Sequence, residues 1–151
     1  MDFEESEEER AFRAEVRGWL EARAERRKPG TDPEHFYSSS DTSKEADAAH
    51  VRACKAWQST LYDAGWAGIA WPKEFGGRGG AGWQQRIFNE EQARFDVAVG
   101  AFAVGIGMAG PTIIAWGTDE QKQRYLPPML RGDEIWCHLF SEPGAGSDLA
   151  G

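Results

Sequence analysis

Apolar positions recur along the first half of this chain with the spacing of helices packed on one side. In the stretch 4–27, Phe12, Val16, Trp19 and Leu20 fall at offsets of four, seven and eight, which predicts an amphipathic helix with one buried face. Its opening acids and its closing "RAERRK" suit the two ends of a helix dipole, and Pro29-Gly30 would stop it. The polar stretch 30–43 carries Pro33 and three consecutive serines, so it reads as a loop. A second helix is predicted over 44–64, with His50, Cys54, Trp57 and Leu61 on one face. "GWAGIAWPKEFGGRGG" then crosses as an aromatic, glycine-rich loop. A third helix follows near Gly82–Phe95, with Trp83, Ile87 and Arg94 on one side and Glu90 and Glu91 between.

The texture changes at "VAVGAFAVGIGMAGPTIIAWG", which is apolar on every side and therefore predicted to be buried. Pro111 is expected to divide it into two helices. In "TDEQKQRYLPPMLRGDE", Thr118 with Gln121 three places on makes a capping-box pattern, and Pro127 and Pro128 should bend or end the helix that follows. Ile135–Phe140 is a short run that reads as a strand. The expected fold is thus mainly α, about six helices followed by one strand. The expected domains are a helical one over 1–134 and the start of a β domain over 135–151.

Composition adds exclusions. Of 151 residues, 40% are hydrophobic and 28% charged, which are globular values. A net charge of −8 argues against nucleic acid as a partner and against an anionic membrane surface. No stretch approaches the length of a membrane span. The acidic "MDFEESEEER" is the opposite of a signal or transit peptide. Cys54 and Cys137 show neither metal spacing nor a disulfide framework, so two reduced thiols in a cytoplasmic protein are expected. His50, with no partner apparent in the sequence, reads as a packed or surface residue.

Three glycine clusters invite a nucleotide-binding reading. "GRGGAG" (Gly77–Gly82) fits G-x-G-x-x-G, but no buried strand precedes it and Pro72 argues against one. "GIGMAG" (Gly105–Gly110) lies inside a helical run, where close helix packing explains it. "EPGAGSD" fails the dinucleotide pattern at Leu149 and is interrupted by Pro143. A strand end followed by Pro-Gly-x-Gly-Ser nonetheless exposes several backbone N–H groups at one point, a concavity for anionic or carbonyl oxygens. The Ser147 hydroxyl adds another polar group there. The bland reading of the same residues is a plain turn in which Asp148 bonds its own backbone.

"LFSEPGAGSDLAG" resembles the first signature of the acyl-CoA dehydrogenase family, matched by Ser141, Glu142, Ala145, Gly146, Ser147, Asp148 and Gly151. "GWAGIAWPKEFGGRGG" and "GPTIIAWGTDEQKQRYLPPMLRGDEIWC" are similar to the family's stretches before its third helix and into its middle domain. Leu139-Phe140 departs from the smaller pair that many members carry. The resemblance implies an FAD enzyme with a helical N-terminal domain, a middle β domain and a helical C-terminal domain, which removes hydrogen from the α and β carbons of an acyl-CoA thioester. It implies that His138, Phe140, Ser141, Gly146 and Ser147 border the flavin, and that Ser147 also meets the CoA arm. Donors aimed at the flavin N1–C2=O region would stabilise the charge left there when N5 accepts hydride. By the same resemblance, Val99, Gly100, Ala103, Val104 and Gly107 line the acyl slot.

The family's base is a carboxylate of the C-terminal domain, so no catalytic residue is assigned here; Glu142 and Asp148 are given structural roles. A single strand cannot make a sheet. The expectation is therefore the N-terminal piece of a longer enzyme, which by itself holds FAD poorly and turns nothing over. An electron-transferring flavoprotein is the implied electron acceptor and a homo-oligomer the implied assembly of the full enzyme. The rival reading is a stand-alone, non-catalytic helical binding or partner module.

Overall fold

The computed structural model describes residues 4–28, 43–139, 141, 142 and 146. Among them are five α-helices: α1 (Glu7–Glu21), α2 (Lys44–Asp63), α3 (Gly82–Gln92), α4 (Gly110–Trp116) and α5 (Asp119–Arg131). The expected mainly α fold is what these residues adopt.

α1 starts at a capping box. The Ser6 hydroxyl accepts from the Glu9 N–H at 3.1 Å, and a Glu9 carboxylate oxygen accepts from the Ser6 N–H at 2.9 Å. It ends at Glu21, earlier than the pattern suggests, because the basic stretch pairs with chain instead. Arg27 N–H donates to Arg94 O at 2.9 Å and Asp96 N–H to Glu25 O at 2.8 Å, around an antiparallel bridge between Arg26 and Phe95. The same bridge ends α3 at Gln92 and takes Phe95, fully buried, into the core.

The predicted face of α1 is the buried one: Phe12, Val16 and Leu20 pack with Leu61 of α2, Ile87 and Phe88 of α3, and Trp66 and Ile69 of the crossing loop. Trp66 is the hub. It stacks on Phe88 with centroids 5.4 Å apart and meets Phe12 and Trp19 at 5.9 and 5.8 Å, while the Arg78 guanidinium lies 4.0 Å from its ring centroid. A second cluster joins Trp71 to Leu126, Met129 and Leu130 of α5.

Four expectations change. The run 97–116 is not buried throughout, since Met108 and Trp116 are exposed. Residues 97–102 are not helical, and Gly100 stands at φ +109°, outside the helical region. Residues 103–116 then form one continuous helix rather than two. Pro111 is accommodated because the turn before it, Gly105–Ala109, is π-helical: Gly110 N–H reaches back to Gly105 O, and the widened turn takes up the proline's missing bond. Pro127 and Pro128 do not end α5, which runs on to Arg131. Met129 and Leu130 beyond them are wholly buried against Trp71, and that burial holds the last turn helical. Finally, 135–139 forms no strand. No second strand is present among the described residues to pair with it. Trp136 instead packs edge-on to Tyr125, centroids 5.2 Å apart, against the Trp71 cluster.

Candidate functional site

Between α2, the crossing loop, α3 and the stretch 97–107 lies a cleft of about 840 Å³. One wall comes from α2, where the shared face predicted for Cys54, Trp57 and Leu61 turns inward. Trp66, Ala67 and Trp71 of the crossing loop line the floor. Val99, Gly100, Ala103 and Gly107 form another wall, together with Phe102 and Ile106. Val104 is half-buried on the same helix and is not part of that wall.

Small residues shape both sides of this region for a physical reason. A Cβ on Gly110 would overlap the Trp71 indole, so the glycine lets α4 press against the crossing loop. "GIGMAG" is therefore a packing feature of the helix, and "GRGGAG" is the loop that leads into α3.

The irregular stretch 97–102 is tied to α2 through Cys54. Its Sγ donates to Val99 O at 3.5 Å, and His50 Nε2 lies 3.4 Å from the same sulfur. His50 thus has the partner that sequence reasoning missed. The signal was their separation of four residues, one helical turn. Burial pushes the Cys54 thiol pKa up, while a backbone hydrogen bond from Ala101 acts the other way. No group of three or more metal-ligating side chains occurs among the described residues.

The strongest electrostatic feature lies outside the cleft, between α1 and α3. Glu91 has no exposed surface and pairs with Arg13 at 2.9 Å, Arg17 at 2.9 Å and Arg94 at 3.4 Å. Arg13 also pairs with Glu5 and, at 2.7 Å, with Glu90. Burial alone would raise the Glu91 pKa, but hydrogen bonds from Arg17 and Arg13 outweigh it and bring the pKa to about 2. Sequence reading placed Glu90 and Glu91 on α3 without seeing that α1 supplies their partners 74 and more positions away.

Of the residues expected at a flavin edge, Phe140 and Ser147 lie outside the described residues, as do Ala145 and Asp148. Ser141 and Gly146 come together: a Cβ on Gly146 would stand 3.3 Å from Ser141 Oγ. His138 precedes them on an exposed stretch whose Leu139 is 91% exposed.

Comparison with known proteins bears on this geometry. The family model for the acyl-CoA dehydrogenase N-terminal domain matches residues 6–133. This chain belongs to the acyl-CoA dehydrogenase family. It is 40% identical over 145 residues to the acyl-CoA dehydrogenase IpdE1 of Mycobacterium tuberculosis, covering 92% of this chain and 34% of that protein. The fold is similar to a chain of the ChsE4-ChsE5 complex from Mycobacterium tuberculosis, with a TM-score of 0.68 and 31% identity over 99% of this chain and 34% of that one. It is also similar to the Tcur3481-Tcur3483 steroid ACAD, with a TM-score of 0.67 and 29% identity over 99% of this chain and 35% of that one. The chain therefore spans about a third of the length of the relatives it matches. No helix among the described residues is long and apolar enough to cross a membrane.

Proposed function

We propose that this chain is the acyl-recognising N-terminal part, with the boundary near residue 134, of an FAD-dependent acyl-CoA dehydrogenase that introduces an α,β double bond into an acyl-CoA thioester. The observation that carries the reading is the cleft itself. A family member needs an apolar slot for the acyl group, and Val99, Gly100, Ala103 and Gly107 border a half-open, largely apolar cleft of about 840 Å³. Their small side chains keep it open.

His138, Ser141 and Gly146 suit one edge of a flavin. A hydroxyl (Ser141) and a glycine backbone (Gly146) are brought side by side, and the apolar Leu139 faces outward. His138, Phe140, Ser141, Gly146 and Ser147 would hold that edge, and Ser147 would also meet the CoA arm. FAD, when bound, supplies the hydride acceptor. The chain's own residues position the thioester and keep water from it. The base belongs to a part of the enzyme that these residues do not include. The electron acceptor, which the reaction reduces, is an electron-transferring flavoprotein, and the working enzyme is an oligomer.

The test is enoyl-thioester formation by the protein purified from its source, assayed with acyl-CoAs of several lengths and an artificial electron acceptor. The expected product is the α,β-unsaturated thioester. Binding of acyl-CoA with no unsaturated product from any of them would replace this reading with a non-catalytic binding module.

A further inference from the structure

The cleft is not uniformly apolar. α3 places Gln85, Asn89 and Gln92 at offsets of four and seven, so three amides stand in a row along its border, over about 10 Å of helix. Two of their oxygens are already engaged. Gln85 Nε2 donates to Asn89 Oδ1 at 3.0 Å, and Trp57 Nε1 donates to Gln92 Oε1 at 3.0 Å. This fixes both amides so that the NH2 groups of Asn89 and Gln92 are left to donate, and neither has an acceptor among the described residues.

Arg27 borders the same cleft, beside the end of α3 to which its backbone is bonded. Its guanidinium donates to Phe95 O at 3.3 Å and pairs with no carboxylate among the described residues. That is notable in a chain with 25 acids against 17 bases. Asn89, Gln92 and Arg27, each with donors to spare, thus border an apolar space that Trp71, Phe102 and Ile106 also line, with Asn89 on its exposed rim.

From this juxtaposition we infer that the cleft selects acyl groups bearing hydrogen-bond-accepting oxygens, and that Asn89, Gln92 and Arg27 are the specificity-determining residues. The inference rests on the acyl-binding reading above. A plain hydrocarbon group would strip water from these donors and offer nothing in return, whereas a carbonyl, hydroxyl or carboxylate oxygen replaces the lost bonds. The small residues and the aromatic floor take the carbon skeleton.

Dissociation constants measured by calorimetry on the protein from its source test this with three probes that share one ring: 3-cyclohexylpropanoyl-CoA, 3-(4-oxocyclohexyl)propanoyl-CoA and 3-(4-carboxycyclohexyl)propanoyl-CoA. One or both oxygenated probes should bind at least about tenfold more tightly than the hydrocarbon. Which of them gains more separates a carbonyl from a carboxylate ligand. Gln92→Glu keeps the acceptor for Trp57 and loses the NH2 donors, so it should abolish the preference. Arg27→Met should do so most strongly for the carboxylate. Asn89→Ala, on the exposed rim, gives a third variant that does not depend on the Trp57 bond. Equal binding of the three probes overturns the inference, as does a preference that none of the variants moves, and both leave the acyl-CoA reading standing. Failure of every acyl-CoA to bind overturns both.

Discussion

Glu91 shows what one residue does for this domain. A carboxylate with no exposed surface is tolerable only because Arg13 and Arg17 bring charged donors to both of its oxygens. Its pKa in the folded chain, about 2, lies below the ordinary 4.5. It therefore contributes stability that is fully present above about pH 4.5 and is lost as the pH falls toward 2. Urea unfolding as a function of pH should show this acid limb, and Glu91→Gln should flatten it. Glu91→Ala removes the acid that Arg13 and Arg17 share and is expected to destabilise by about 1–3 kcal/mol, since Arg13 keeps Glu5 and Glu90 and Arg17 reaches solvent. The cysteines make a simpler contrast. Cys54 is buried with its pKa raised by that burial, and Cys137 is exposed. Iodoacetamide followed by peptide mass analysis should label Cys137 readily and Cys54 only after unfolding.

Among elements, the helix 103–116 and the crossing loop are matched to each other through Gly110 and Trp71. Gly110→Ala forces the two apart, and overpacking of this kind costs about 1–3 kcal/mol, which a drop in the thermal midpoint will report. At the start of α1, Ser6→Ala removes one half of the capping box and should cost about 1 kcal/mol by denaturant midpoint. These elements also show why patterns succeed or fail. The 3.6-residue repeat of Phe12, Val16 and Leu20 was legible because a helix with one buried face writes its geometry into the spacing of apolar residues. The run 97–116 is apolar throughout, so it carries no period from which an irregular segment, a π-turn and a proline-bearing helix can be told apart.

For the whole molecule, the cleft arises where four separate stretches of chain meet. Filling it from the wall of small residues should block it: Ala103→Trp is expected to weaken acyl-CoA binding by at least about tenfold, with the fold retained as judged by circular dichroism. Retained affinity would move the acyl site elsewhere. The relatives matched by this chain are about three times its length, and exposed side chains such as Trp116 and Leu139, at 87% and 91%, are where further protein surface has room to pack.

The sequence by itself determined the helical class, the buried faces of α1 and α2, the Thr118 cap and the family signature at 141–151, because each is written in residues close together along the chain. It even held the wall residues Val99, Gly100, Ala103 and Gly107, by resemblance to a family rather than by spacing. Only the tertiary structure decided that Glu91 meets Arg13 and Arg17, that His50 and Cys54 tie down Val99, that the prolines stay inside helices, and that three donors gather beside an apolar cleft. Those depend on which surfaces are pressed together after folding, and burial and pairing across many tens of residues leave no local period to read.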